Sequence, residues 1–256
     1  MKDVFPNKKL VVIADDYGFT ESVNKGIEKA FSEGIITEIS LMVNSKASKQ
    51  AFSTIKKNKM KNVGIHIDFS TGKIMHEKDY IDLFEKKSYK EVSKMFQDEI
   101  RKFERGIKKS PTHITSHKGI HGNIKLLNEI IDYAKELKIP VRRPHVDLMG
   151  ITLDESNYAA EIMMQRAGLK TTNHLFMHIK GADSVRIKEK YINDLKTVKK
   201  GESAEFLFHP AFFDEELLES SSLNFERCRD LAIVTDKIFK DDIKKLGFKI
   251  VDYSEI

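Results

Sequence analysis

A chain of 256 residues can bury one large core, and α/β barrels of about this length are routinely single domains, so we expect one domain over residues 1–256. Hydrophobic residues make up 40% and charged residues 32%, which excludes a disordered or low-complexity chain. The net charge of +5 comes from 44 basic and 39 acidic residues that interleave along the predicted helices, so we expect no nucleic-acid partner.

Cysteine content and hydropathy indicate the compartment. The single cysteine, Cys228, excludes an internal disulfide, and the N-terminus shows no apolar segment long enough for a signal peptide or a membrane span. We therefore expect a cytoplasmic protein with no membrane partner. Because two-fold dimers are the commonest oligomers, a homodimer is the assembly we expect.

The first predicted strand leads into a pair of acids. Four apolar residues at positions 11–14 predict a buried strand that runs directly into Asp15 and Asp16. Two adjacent carboxylates there repel each other and lose hydration, so a cation or a shared proton would stabilise them. The alternative is that both acids form a turn or cap the next helix.

Helices and strands alternate along the rest of the chain. Helices are predicted at 21–33, 45–59, 92–107, 124–137, 155–167, 184–199 and 225–246. Strands are predicted at 35–43, 62–67, 112–117, 140–142, 174–178, 204–209 and 248–251, with a less regular region at 144–151. This alternation predicts an α/β fold with a closed or nearly closed parallel barrel. A doubly wound open sheet is the alternative, but residues 15–18 lack the glycine spacing of a dinucleotide-binding turn.

Histidines stand at the ends of several predicted strands. In a barrel the strand ends converge on one mouth, which would bring His66, His117 and His209 to the acidic pair. One carboxylate and two imidazoles form a common ligand set for a divalent cation with open positions. We predict Asp16, His66 and His117 as the ligands. His121 is an alternative ligand if a helix begins at His117, although the flanking glycines favour a loop.

Seven short motifs, in this order, resemble those of the YdjC-like carbohydrate deacetylases, a family that includes the chitooligosaccharide (chitin disaccharide) deacetylases. The motifs are Ile13-Ala14-Asp15-Asp16-Tyr17-Gly18, Val23-Asn24-Lys25-Gly26-Ile27, Gly34-Ile35-Ile36-Thr37, Leu41-Met42-Val43-Asn44, Gly64-Ile65-His66, Pro111-Thr112-His113-Ile114-Thr115-Ser116-His117 and Phe208-His209-Pro210-Ala211. The resemblance implies an irregular (β/α) barrel related to polysaccharide deacetylases. It also implies one divalent metal, magnesium or zinc, and removal of acetate from small N-acetylated carbohydrates.

Carried over by position, the resemblance implies that Asp16, His66 and His117 bind the metal, that Asp15 is the catalytic base and that His209 is the acid. The chemistry agrees, because a metal lowers the pKa of its water, a free carboxylate can take the proton, and an imidazole can protonate the leaving amine. Arg142 can hold Asp15 ionised, or it is an ordinary surface arginine. The predicted sugar contacts are Tyr17, His121 and Phe212.

Three residues depart from the family pattern. Thr115 stands where the family has an aspartate, and Lys118 and Gly119 stand where it has histidines. Loss of the acidic neighbour would weaken orientation of the metal, change substrate choice or reduce activity. Two alternative functions therefore stay open. One is another metal-dependent hydrolase such as a phosphoesterase, favoured by Lys73, Lys118 and Arg143, and the other is a metal-binding or sugar-binding protein with weakened catalysis.

Overall fold

The computed structural model describes residues 8–70, 75–144, 155–179 and 183–256. The strands are β1 Lys8–Tyr17, β2 Glu38–Leu41, β3 Val63–Ile67, β4 Ile114–Ser116, β5 His174–Phe176, β6 Ser203–Phe208 and β7 Phe248–Val251. The helices are α1 Glu21–Glu33, α2 Ser48–Asn58, α3 Glu77–Lys86, α4 Tyr89–Ile107, α5 Ile124–Leu137, α6 Glu155–Arg166, α7 Ser184–Thr197, α8 Glu215–Ser220, α9 Phe225–Val234 and α10 Lys237–Lys245. Short 3₁₀ turns follow at His117–Gly122 and Tyr253–Glu255.

All strands run parallel in one sheet with the order β4-β3-β2-β1-β6-β5. The N-terminal half of β1 pairs with β7, and its C-terminal half pairs with β2 on the same side. An isolated parallel bridge between Ile114 and Val141 continues the sheet beyond β4. Among the described residues no ladder joins that edge to β5, so the sheet forms a half-barrel. The predicted parallel, barrel-like sheet with outer helices is confirmed.

The alternation of side chains along β1 divides the core in two. Leu10, Val12 and Ala14 face the large core beneath the helices, whereas Val11 and Ile13 face a smaller cluster inside the curve of the sheet. Strands β5, β6 and β7 and the turn after β7 supply the rest of that inner cluster, which includes Leu175, Leu207, Val251 and Tyr253. The chain is therefore apolar on both faces of β1 until it reaches the acids.

Most predicted elements are present, with differences at their ends. Thr20 caps α1, because its hydroxyl accepts a hydrogen bond from the Val23 amide, and neither Asp15 nor Asp16 has that role. The predicted strand at 140–142 is reduced to the single bridge at Val141. The predicted helix at 225–246 is two helices, since the Asp236 side chain caps α10. Helices α3 and α8 were not predicted, and residues 145–151 of the predicted irregular region lie outside the described residues.

No helix in the part of the chain that the structure describes is both long and apolar enough to cross a lipid bilayer.

Candidate metal centre and pocket

A backbone irregularity at the end of β1 turns both acids toward one pocket. Strict alternation would point Asp16 into the same core as Ala14. Instead, the pairing register with β2 shifts between Ala14 and Tyr17, and Asp16 has φ of 69°, a left-handed conformation uncommon outside glycine. As a result, Asp15 and Asp16 both line the pocket. Tyr17 occupies the position in the large core that Asp16 would have in a regular strand.

Asp16, His66 and His117 come together as the sequence predicts. Each offers one ligand atom, and these atoms all lie within 4.8 Å of one another. Asp16 Oδ1 is 3.3 Å from His66 Nε2 and 3.1 Å from His117 Nδ1. One carboxylate with two imidazoles suits a divalent metal ion and does not determine which one. His121, the alternative ligand, is not a member of this group.

Thr115 orients one of the two imidazoles. Its hydroxyl lies 2.7 Å from His66 Nδ1 and donates to the carbonyl of Ile65 at 3.3 Å. Because that hydroxyl proton is committed to the carbonyl, the hydroxyl oxygen accepts from Nδ1–H. The Nε2 lone pair of His66 is then free on the side of Asp16, which is the tautomer that metal ligation needs. Thr115 thus gives His66 a hydrogen-bond partner at the position where the family pattern has an aspartate.

Asp15 is held by a bidentate arginine. Arg142 Nη1 lies 2.5 Å from Asp15 Oδ2, and Nη2 lies 3.1 Å from Oδ1. Although burial alone would raise the pKa of Asp15, the charge of Arg142 and its hydrogen bonds lower it to about 2. The predicted pairing of Arg142 with Asp15 is confirmed. The surface-arginine alternative is wrong, since Arg142 is only 3% exposed.

The same arginine connects Asp15 to a buried chain of polar groups inside the half-barrel. Arg142 Nε donates to Glu205 Oε1 at 2.6 Å, and the hydroxyl of Tyr253 donates to the other oxygen of Glu205. Glu205 lies in the middle of the predicted strand β6, and Tyr253 follows β7 near the C-terminus. Sequence reasoning missed both residues. A glutamate within an otherwise apolar strand was the available signal for Glu205.

His209 follows β6 and lines the same pocket. Its backbone amide donates to Asp230 Oδ2 at 3.0 Å, which fixes the start of the loop that carries it. Burial lowers the pKa of His209 to about 4, although the charge of Asp16 acts in the opposite direction. The imidazole is therefore neutral at pH 7 in the free protein.

A second arginine, which no sequence pattern predicted, contacts Asp16. Arg227 of α9 places Nη2 2.6 Å from Asp16 Oδ2. Burial alone would raise the pKa of Asp16, but the charge of Arg227 and hydrogen bonds with His117 and His66 hold it well below its ordinary value. The two residues are 211 positions apart, so no local pattern could have linked them.

A second buried pair of acids, Asp68 and Glu99, lies beside the pocket. Asp68 lines the wall and accepts hydrogen bonds from the hydroxyls of Ser45 and Ser70. Glu99 accepts from the backbone amides of Asp68 and Phe69. Burial and the nearby charge of Asp68 raise the pKa of Glu99 well above its ordinary value.

The pocket encloses about 1160 Å³. His121 is one of its walls, with Nδ1 2.6 Å from Ser116 Oγ and Nε2 3.2 Å from the Arg143 carbonyl oxygen. Burial and the charge of Arg142 lower the pKa of His121 to about 4. Lys118 and Arg143 also line the pocket, whereas Lys73 lies outside the described residues.

Two residues predicted to contact the sugar do not line this pocket. Tyr17 is fully buried in the large core, where its hydroxyl donates to Glu28 Oε1 at 2.7 Å, because the shift in register turns it away from the pocket. Phe212 is 44% exposed and does not line the pocket, and its backbone amide donates to the Ser22 carbonyl oxygen on α1. Phe19 is an aromatic residue that does line it.

Comparison with known proteins agrees with this architecture. The chain is 26% identical to a carbohydrate deacetylase of Clostridium beijerinckii over 97% of this chain and 100% of that one. It is 25% identical to a chitooligosaccharide deacetylase of Yersinia enterocolitica over 97% of this chain and 99% of the other. A crystal structure from Enterococcus faecalis, of a protein named for a proposed role in cellobiose-phosphate cleavage, superposes with a TM-score of 0.80 at 23% identity, over 97% and 98% of the two chains. The sequence profile of the YdjC-like proteins matches residues 9–245, and the chain therefore belongs to that family.

Proposed function

We propose that this protein is a metal-dependent deacetylase that hydrolyses the acetamide of small N-acetylated carbohydrates, such as N-acetylglucosamine oligosaccharides. The observation that carries the proposal is the juxtaposition of two different carboxylates. Asp16 belongs to the ligand group, and Asp15 stands beside it, ionised and outside that group. The names of the Clostridium and Yersinia relatives support the same chemistry.

The residues present fit a divalent ion, because three donors converge and Thr115 holds His66 in the ligating tautomer. Asp16, His66 and His117 would hold the ion, which we take to be magnesium or zinc. When bound, such an ion lowers the pKa of its water toward neutrality and polarises the acyl carbonyl.

Asp15 takes the proton from the attacking water in this proposal. Its bidentate contact with Arg142 fixes the direction of both oxygens, and both residues are almost fully buried. A carboxylate with a pKa of about 2 is a weak base, so its contribution depends on placement and on an acidified water.

His209 protonates the amine that leaves. Because the free imidazole is neutral at pH 7, it must first receive the proton that it delivers. The number of protons allows this. Hydrolysis consumes one water, and the proton that Asp15 removes from that water is the one that the leaving amine needs. His209 and Asp15 line the same pocket, so the transfer takes place within one site.

A phosphoesterase is the second candidate, supported by Lys118 and Arg143 on the pocket wall. Arg143 donates hydrogen bonds to Glu161 at 2.9 Å and to the Asn173 carbonyl oxygen. The phosphoesterase is therefore supported mainly by the exposed Lys118. The cytoplasm is the proposed compartment, on the ground that the chain has a single cysteine.

Release of acetate from N,N'-diacetylchitobiose tests the proposal. We expect release that a chelator stops and that added magnesium or zinc restores. Asp16→Asn should abolish both turnover and calorimetric metal binding, whereas Lys46→Gln, which alters an exposed ion pair, should change neither. Turnover of p-nitrophenyl phosphate without acetate release would support the phosphoesterase, and binding of diacetylchitobiose without turnover would support a protein with weakened catalysis.

A further inference from the structure

We propose that Arg227 is a catalytic residue whose Nη1 binds the acyl oxygen of the substrate, and afterwards the carboxylate of the released acid. This inference rests on the proposed function, because it assigns the residue that stabilises negative charge in the same reaction. The ligand class is an oxygen anion on a small acyl group.

Three contacts fix the guanidinium of Arg227. Nη2 lies 2.6 Å from Asp16 Oδ2, and Nε lies 3.3 Å from Ser221 Oγ. The central carbon of the guanidinium lies 5.6 Å from the centre of the Phe19 ring. The side chain is 4% exposed and forms part of the pocket wall. The group is thus held in one orientation before any ligand arrives.

One nitrogen of this rigid group has no partner. Nη1 is buried, and none of the described residues accepts a hydrogen bond from it. An unsatisfied buried donor is costly, and a charged one more so, so such a group in a native protein calls for an explanation. Because Arg227 lines the pocket, a ligand in that pocket can supply the missing acceptor.

The position of Arg227 relative to the ligand group suggests which acceptor this is. Asp16 Oδ1 faces His66 and His117, whereas Asp16 Oδ2 faces Arg227. The Arg227 guanidinium and a bound ion would therefore each lie next to a different oxygen of the Asp16 carboxylate. A negative charge that develops on an acyl oxygen at this centre would lie near both positive groups.

The other buried arginine at the centre is already neutralised. Arg142 contacts two carboxylates, those of Asp15 and Glu205, and so offers little net charge to a ligand. Arg227 contacts one carboxylate and keeps an open donor. Fixed hydrogen-bond donors directed at a developing oxyanion typically contribute about 10²- to 10³-fold to kcat.

Chemical rescue separates this role from a structural one. We expect Arg227→Ala to lower kcat by about 10²- to 10³-fold with a smaller change in KM, and added guanidinium chloride at millimolar concentration to restore part of kcat. Arg101→Ala is the control. It removes an exposed arginine of α4 that pairs with Asp98 and does not line the pocket. Guanidinium should not raise the activity of that variant.

A binding experiment gives a readout that does not depend on turnover. ¹³C-acetate is titrated into chelator-treated protein and its binding is followed by NMR. In a second titration, inorganic phosphate competes with the bound acetate. We expect wild-type protein and Arg101→Ala to bind acetate, and Arg227→Ala to bind it at least 10-fold more weakly. Because this arm needs no metal and no substrate, it remains informative if the protein fails to release acetate from any sugar.

Three outcomes would overturn the proposal. Wild-type kcat in Arg227→Ala excludes the residue from the reaction. Loss of activity without rescue, together with undiminished acetate binding, assigns it a structural role. Weakened binding of phosphate but not of acetate assigns Arg227 to an anionic substituent on the sugar and not to the acyl group.

Discussion

Replacing Asp15 by Asn removes one buried negative charge while keeping the shape of the side chain. Arg142 would keep one acceptor at this position and would stay paired with Glu205, so the substitution leaves no buried arginine without a counter-ion. The cost should therefore fall below the roughly 3–5 kcal/mol typical of breaking a buried ion pair. The metal ligands are unchanged, and we expect metal affinity to be retained.

The charge of Asp15 determines how much stability the Asp15→Asn substitution removes. The pKa of Asp15 is about 2 in the folded protein, against an ordinary value of 3.8. A carboxylate whose pKa falls on folding adds stability that is complete above its unfolded pKa and is lost as the pH falls through its folded pKa. At about 1.36 kcal/mol per pH unit, this contribution is about 2.4 kcal/mol at pH 7 and about 1.3 kcal/mol at pH 3.

Two assays check these values. Urea unfolding should show wild-type protein more stable than Asp15→Asn by about 2 kcal/mol at pH 7 and by about half as much at pH 3. Turnover should fall by about 10²- to 10⁴-fold, as expected for loss of a general base, while calorimetry shows unchanged metal binding. A stability difference that does not vary with pH would refute the charge pairing, and turnover above one tenth of wild type would refute the role as base.

Four further changes test other parts of the structure. Gly64→Ala places a methyl group 2.4 Å from His113 Nε2 and should cost about 1–3 kcal/mol in urea unfolding, whereas a cost below measurement error would show that the imidazole moves freely. Tyr253→Phe removes the hydroxyl that donates to Glu205 and should cost about 1–3 kcal/mol, and an unchanged midpoint would contradict that bond. Thr115→Val should weaken metal binding by about 10- to 100-fold in calorimetry and Thr115→Ser should restore it, so equal affinities in all three proteins would exclude the orienting hydroxyl. Chelation should lower the melting temperature, because an ion at 100 times its Kd stabilises the fold by about 2.7 kcal/mol, and a midpoint that chelation leaves unchanged would argue against a bound ion.

Local patterns predicted most of the secondary structure. The ends of α1 follow from Thr20 and Gly34, because a cap hydroxyl and a terminal glycine act within one turn of the helix. The convergence of Asp16, His66 and His117 also followed from the sequence, since parallel strands bring their carboxyl ends to one edge. These inferences need only periodicity and the direction of the strands.

The remaining features depend on departures from periodicity or on contacts between distant segments. Alternation predicts the facing of side chains only while the strand is regular, and the left-handed residue at Asp16 exchanges the expected positions of Asp16 and Tyr17. The contacts of Arg227 and Tyr253 join residues that are 211 and 48 positions apart in the chain. Neither residue lies in a pattern that distinguishes it from an ordinary helical arginine or a core tyrosine.

Sequence and structure together explain how the two adjacent acids stay ionised. In the sequence, Asp15 and Asp16 repel each other and call for a cation or a shared proton. In the structure each has its own arginine, Arg142 for Asp15 and Arg227 for Asp16, and both pKa values lie below the ordinary value. The pair is therefore ionised above about pH 4 without any metal, so an arriving ion meets a carboxylate ligand that has no proton to lose. Arg142 binds both oxygens of Asp15, and Arg227 binds only Oδ2 of Asp16, which leaves Asp16 Oδ1 facing the two imidazoles.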